Sequence, residues 1–440
     1  MNESGRRARG VLLTILALAA VVAGAIAAWK KDSSELPVYV TGAEHMLHGG
    51  EVYEPLAAKP FTYPPFFALP FLPFTRLDAG AQRVIWFLCN VAMLGASLVL
   101  LHRVIARGAA LRAGPLFWAL VVAFSIRHLL AVFENQSHDL VVLLCLCIAA
   151  ERASRAREMG SGSAMGLAAA CKATPLLFLP ALICQRRGRA VLGFAVVAAA
   201  ATLLPDLFLP RADGQLWVTA WIRTFAGAMG AGRPADVGHA WTASNFLNQN
   251  LAGTLHRLTL HPSLEGEFVR DVALVELGAG VRQAVTLVAQ ALVVAIVAWA
   301  AWPTRARGLV ARELAWRRFG EIGAIACAML LLSPMSSKSH FCVLLLPTTF
   351  CIAETIRGDA WRRRPLVTAL LAFSFCAATL STKGLIGREA GNLLLAFGAV
   401  AWGTFALLLA SALLLVPARS AALDAGDRTD GETTGGQPLP

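Results

Sequence analysis

The chain has 440 residues, 57% of them hydrophobic and 15% charged, with a mean hydropathy of +0.61. A soluble domain carries about 25% charge, and many windows here reach the roughly 20 apolar residues that cross a bilayer. That excludes a soluble globular fold and predicts an all-α polytopic membrane protein, since barrel strands of about ten alternating residues do not fit runs this long. The net charge of +12 sits in arginines between the apolar runs, where the positive-inside bias accounts for it without nucleic acid.

The first run, 11–29, follows Arg6, Arg7 and Arg9. It resembles a signal peptide, but no A-x-A-like site with a polar domain follows it. A retained transmembrane helix with a cytoplasmic N-terminus is therefore expected. It delivers a large outer loop, 30–80, within which 37–48 predicts a short interfacial helix. The proline-rich run at 64–74 is too short to cross and predicts a re-entrant or interfacial piece.

Further spans are expected at 82–101, 114–133, 139–150 with a turn before it, 190–209, 272–300, 320–333, 339–356, 366–382 and 390–417. With the first, these make about ten crossings, and every strong arginine cluster falls on the inner side. The stretch 163–183 has arginines on both flanks and is broken by Lys172, Pro175 and Pro180. A bent helix or hairpin that returns to its own side satisfies the charge rule; a full crossing is the alternative. A second outer region is expected at 210–270. Residues 1–417 read as one integral membrane domain, and 418–440 as a disordered cytoplasmic tail.

Nine cysteines are scattered through apolar runs without a CxxC pair and read as core residues rather than metal ligands or disulfides. No P-loop, dinucleotide fingerprint or HExxH motif occurs, so neither a metal nor a cofactor is expected. No internal repeat supports an inverted-repeat transporter.

The first outer loop carries most of the candidate chemistry. Glu35, just after the first span, is placed to act as a general base on an acceptor hydroxyl. Glu44 is the alternative base, with His45 beside it. Tyr39 lies between them, and Tyr63 opens a rigid Tyr-Pro-Pro step. Asn135, Gln136 and Asp139 cluster at a helix–helix turn and suit sugar hydroxyls. Lys172 is a charge among apolar residues, expected near the inner side with a lipid headgroup or a structural carboxylate as partner. Asn248, Gln249, Asn250 and Arg257 form an amide-rich group in which one arginine can fork around phosphate, or which serves to cap helices and pack loops. Lys338 and His340 offer a cation and an imidazole to a phosphate leaving group, or merely occupy a solvent turn.

In their order these segments resemble the polytopic GT-C-type glycosyltransferases of glycosyltransferase family 87. The matching pieces are Glu35, Val38-Tyr39, Gly49-Gly50-Glu51-Val52-Tyr53, Tyr63-Pro64-Pro65, Asn135-Gln136, Lys172 with Pro175, Asn248-Gln249 or Asn250 with Gly253 and Arg257, and Ser333-Pro334-Met335-Ser336 with His340 and Leu346-Pro347. Two positions depart: the first-loop acid is usually aspartate, and Ser-Lys-Ser precedes His340 where a Trp and paired histidines are common. The resemblance implies a GT-C bundle without a metal and inverting transfer of mannose or another hexose or pentose. The donor would be a polyprenyl-phosphate sugar and the acceptor a lipid or glycan, at the outer face of the cytoplasmic (inner) membrane. It also implies Glu35 as the single base, with Arg257, Lys338 and His340 stabilising the departing phosphate. A transporter or flippase for lipid-linked sugars, or a non-enzymatic envelope assembly protein, would share the fold but not the need for Glu35.

Overall fold

The computed structural model describes all residues except 1–2, 33, 55–58, 110, 112, 226–231, 235–241, 264–265, 358–364 and 417–440. The tail expected at 418–440 lies outside the described residues. Regular structure among the described residues is entirely helical.

In chain order the principal helices are α1 Glu3–Lys30, α2 Leu36–Leu47, α3 Ala79–Gly108, α4 Pro115–Asn135, α5 Asp139–Ser154, α6 Glu158–Cys171, α7 Phe178–Cys184, α8 Gly188–Phe208, α9 Trp217–Phe225, α10 Leu251–Leu258, α11 Ala279–Ala300, α12 Ala311–Leu332, α13 Leu345–Arg357, α14 Pro365–Ser374, α15 Lys383–Ile386, α16 Arg388–Ala396 and α17 Ala399–Leu415. The proline-rich run forms a tight 3₁₀ element, Pro65–Arg76, because Pro70 and Pro73 inside it cannot donate to α-helical bonds.

Five helical segments among the described residues are long and apolar enough to cross a bilayer: Ala79–Gly108, Pro115–Asn135, Gly188–Phe208, Ala279–Ala306 and Lys338–Arg357. A sixth appears if Arg388–Ala396 and Ala399–Leu415, bent by 58°, count as one span. Of the other spans expected from the sequence, 139–150 falls in α5, which has 16 residues. The run 320–333 falls in α12, which carries Arg312, Glu313, Arg317, Arg318 and Glu321.

The bundle has two chemically distinct ends. At one, Glu151 pairs with Arg107 and Arg155, and Glu158 with Arg187 and Arg318. Arg312 and Arg357 donate to the carbonyls of Gly108 and Ala109. The C-termini of α3, α5 and α13 thus meet the N-termini of α6, α8 and α12 in one arginine-rich layer.

The segment from α6 to α7 is a hairpin whose two feet are joined by Glu158 and Arg187, 2.7 Å apart. Glycines let α6 touch α8, which runs parallel to it: a Cβ on Gly162 would lie 1.8 Å from the Ala190 carbonyl oxygen, and one on Gly193 2.3 Å from that of Met159. Small residues of this kind allow backbone-to-backbone helix packing. Lys172 stands at the hairpin's apex, at the opposite end from the arginines. The expectation that Lys172 lies near the inner, arginine-bearing side is therefore overturned. The charge rule reads the flanks of a segment and cannot see how far its middle reaches.

Candidate active site

At the end opposite the arginine layer, a cleft of about 1020 Å³, solvent at its mouth included, opens between α2, the Tyr-Pro-Pro step, the α6–α7 apex, α9 and the loop after α12. Its polar wall residues include Glu35, Lys59, Tyr63, Lys172, Ser337 and His340. A smaller recess of about 240 Å³ continues from Lys172 and His340 down to Asp139.

Glu35 is held at the N-terminal edge of α2. Leu36, Tyr39, Ala43 and Met46 bury one face of that helix, while the Glu35 N–H donates to the Asn135 carbonyl at 3.3 Å. Its Oε1 pairs with Lys59 Nζ at 2.8 Å, and the same ammonium donates to the Ser34 carbonyl at 2.7 Å. Its Oε2 lies 3.5 Å from the hydroxyls of both Tyr39 and Tyr63.

Burial pushes both phenols well above their usual range. The second contributors are the Tyr63 phenol for Tyr39, and the Glu35 carboxylate for Tyr63. Both therefore remain neutral and able to donate. Behind them Tyr39, Tyr63, Phe67 and His138 pack edge-on or tilted, with ring centroids 4.5 to 5.6 Å apart. Tyr39 Oη lies 3.1 Å from His138 Nδ1.

The floor is an ion pair. Lys172 Nζ lies 2.7 Å from Asp139 Oδ1, and the Ser137 hydroxyl donates to Oδ2 at 3.0 Å. The two charged side chains are 11% and 3% exposed. Lys172 reaches the site because α6 stops at Cys171 and Lys172 turns extended, at φ −152° and ψ 128°, just before Pro175. Its partner is thus a structural carboxylate. His340 Nε2 is 3.9 Å from Asp139 Oδ1. Its Nδ1 accepts the Ser337 N–H at 3.2 Å, so a neutral His340 carries its proton on Nε2, the nitrogen that faces Asp139.

The structure brings Glu35, Tyr39, Tyr63, Asp139, Lys172 and His340 together. Asn135 and Gln136 shape the site without lining it. Gln136 takes the left-handed conformation, φ 50°. Its carbonyl accepts Trp86 Nε1–H at 2.8 Å, and its amide donates to the Arg83 carbonyl at 3.2 Å. This turn fixes both Asp139 and the chain beside Glu35. Glu44 is exposed and lies nine residues along α2 from Glu35, about two and a half turns on, hence toward the opposite face. His45 lines a neighbouring pocket. Lys338 lies outside the cleft lining, its carbonyl 3.0 Å from His128 Nδ1.

Asn248, Gln249, Asn250 and Arg257 are buried behind the cleft. Arg257 donates to the carbonyls of Ala396, Asn248 and Asn245 at 2.9, 2.9 and 3.2 Å. Asn250 Nδ2 donates to the carbonyls of Ser333 and Pro334, each at 2.6 Å, and Asn248 Oδ1 accepts the Ser336 N–H at 3.1 Å. The group braces the loop that carries His340, and Arg257 is spent on carbonyls rather than presented to a phosphate.

Lys59 belongs to no motif. Its only signal in the sequence is that it is the sole Lys or Arg between Lys31 and Arg76. Trp221 and Phe225 join the cleft from the 210–270 region, where Trp221 Nε1–H donates to the Thr62 carbonyl at 2.9 Å.

Residues 61–334 match the profile of glycosyltransferase family 87. The chain is 28% identical, over 84% of its length and 82% of the relative's, to a "Polyprenol-phosphate-mannose-dependent alpha-(1-2)-phosphatidylinositol mannoside mannosyltransferase" of Mycobacterium tuberculosis (strain ATCC 25618 / H37Rv). It is 26% identical, over 81% of its length and 73% of the relative's, to a "Polyprenol-phosphate-mannose-dependent alpha-(1-2)-phosphatidylinositol pentamannoside mannosyltransferase" of Mycobacterium tuberculosis (strain CDC 1551 / Oshkosh). No solved structure matches the chain.

Proposed function

Because the chain belongs to glycosyltransferase family 87, we propose that it moves a sugar, mannose in the first instance, from a polyprenyl-phosphate donor to a hydroxyl of a lipid or glycan acceptor. The arginine-rich end faces the cytoplasm, about ten helices cross the membrane, and the cleft opens at the outer face. One observation carries this reading: a carboxylate, Glu35, and the Lys172 ammonium with the His340 imidazole beside it line the same cleft.

Glu35 is the general base. It removes the acceptor hydroxyl proton as the oxygen forms its bond to the anomeric carbon. The bond from that carbon to the phosphate oxygen breaks, and the electron pair leaves on polyprenyl phosphate. Attack from the face opposite the leaving group inverts the anomeric centre. The leaving group is already an anion, so no second carboxylic acid is required.

Lys172 and the Nε2–H of His340 receive the growing charge on the phosphate. Asp139 holds Lys172 and faces His340, while Lys59 pairs with Glu35 at the mouth. An apolar groove of about 670 Å³, lined by Leu177, Ala181, Val294, Ile325 and Leu332, starts beside cleft residues Thr174 and Ser333 and suits the prenyl chain.

The test is mass spectrometry of products from purified protein, polyprenyl-phosphate mannose and membrane lipid extract. A mannosylated product from the wild type that is absent with Glu35→Gln supports the assignment. Donor recovered unchanged from wild type, but moved across vesicles, would replace transfer with transport.

A further inference from the structure

Most buried cations of this fold end on a carboxylate or on several carbonyls. Lys172 meets Asp139, Arg187 meets Glu158 and Arg317 meets Glu321, while Arg257 spreads over carbonyls. Arg127 differs. It lies in α4, 7% exposed, about 12 Å along the helix from Asn135. Its Nη1 donates to the Ala378 carbonyl at 3.0 Å and to the Ser381 hydroxyl at 2.7 Å. Its Nε and Nη2 are buried without a partner, and no carboxylate stands within ion-pair distance among the described residues. An unpaired charge at membrane depth is costly and marks a function.

Two lysines flank it. The Lys338 carbonyl oxygen lies 3.0 Å from Nδ1 of His128, the next residue of α4. Lys383 follows Ser381, the Arg127 partner, by two positions. The charges of Arg127 and Lys383 both bear on Lys338, opposed among the described residues by Glu134. The carboxylates near Lys383 are already engaged, Glu267 with Arg388 and Glu389 with Arg270. Ser337 and His340 face the cleft from the same loop as Lys338, so the cation cluster lies on the loop's other side.

An apolar pocket of about 830 Å³ begins at Ser381 and is lined by Leu380, Ile386, Leu394, Phe397 and Trp402. Two breaks in regular helix shape it. Phe375–Leu380 winds as a π-helical turn, a device that recurs at functional sites. The helices α16 and α17 meet at 58° about Gly398, φ 81°. The pocket lies on α14 to α17, away from the groove on α7, α11 and α12 assigned to the prenyl chain, so two lipids can be seated at once.

The head of this site lacks an anion and its body suits hydrocarbon. We propose that it holds an anionic phospholipid of the bilayer, with the phosphate against Lys338 and Lys383 beside Arg127 and an acyl chain along Phe397 and Trp402. This lipid is not a substrate. It sits across the 333–340 loop from the cleft, and by neutralising the cluster it braces the loop that carries His340. The proposal does not depend on the transfer reading.

The test is native mass spectrometry of the full protein in detergent, stripped of lipid. It is then offered phosphatidylglycerol, phosphatidylcholine with the same acyl chains, or inorganic phosphate. One phosphatidylglycerol should be retained with about tenfold preference over phosphatidylcholine. Lys338→Gln and Lys383→Gln, both at partly exposed positions, should each weaken it by about three- to tenfold, the effect of one lysine beside an anionic lipid. Ala377→Trp, which fills the pocket, should abolish retention. Equal retention of the two lipids, a preference that survives both lysine substitutions, or inorganic phosphate bound as tightly as phosphatidylglycerol would overturn the site.

Discussion

Two polar clusters share the loop at 333–340, and they use their hydrogen-bonding groups to opposite ends. On one side, Glu35, Lys172 and His340 line an open cleft. On the other, Asn248, Gln249, Asn250 and Arg257 are closed against backbone carbonyls. The first keeps donors and acceptors in reserve for a substrate. The second has already spent them inside the protein. Composition alone does not separate these cases; what separates them is whether each polar atom ends at a carbonyl or at a cavity.

The largest effect expected is on chemistry without folding. Glu35→Gln should lower the transfer rate by about 10² to 10⁴-fold, the contribution of a positioned base. It should leave the melting temperature near wild type, because Glu35 is partly exposed and its ion pair with Lys59 is a surface one.

Lys172→Met should damage both properties. It leaves Asp139 buried without its cation, which costs about 3–5 kcal/mol of stability, and it removes a cation from the phosphate side. The double variant Lys172→Met with Asp139→Asn should recover much of the melting temperature but not the rate. Recovery of both would move Lys172 into the structural class.

Arg257→Gln probes the closed cluster. It should destabilise the protein by about 1–3 kcal/mol through stranded carbonyls, while transfer per folded molecule stays within about twofold. Differential scanning fluorimetry beside the rate assay reads both, and a rate loss exceeding the loss of folded protein would place Arg257 with the cleft.

The smallest effect belongs to Tyr63→Phe, whose hydroxyl lies at a long 3.5 Å from Glu35. A loss of about 0.5–1.5 kcal/mol in transition-state stabilisation, or two- to tenfold in kcat, is expected, with substrate KM little changed.

Helical class and family were legible from hydropathy and ordered motifs. The separate pieces of the cleft were also visible, since Glu35, Tyr63, Asp139 and Lys172 stand out as polar residues at span edges or inside apolar runs. Their assembly was not. Lys172 looked inward because arginines flank its segment, whereas the hairpin carries its apex to Asp139. The amides at 248–250 looked like a ligand site because amide density does not say where hydrogen bonds end. Lys59 gave almost no signal, since a lone lysine in a polar loop is indistinguishable from a solvated one until Glu35 is seen beside it.

The most direct test sets Glu35→Gln against Arg257→Gln in one purified preparation, scoring mannosyl transfer per folded molecule together with melting temperature. The account predicts an intact, inactive Glu35 variant and a destabilised Arg257 variant that is active in proportion to its folded fraction. An active Glu35→Gln protein, or an Arg257→Gln protein that is fully folded yet inactive, would contradict it.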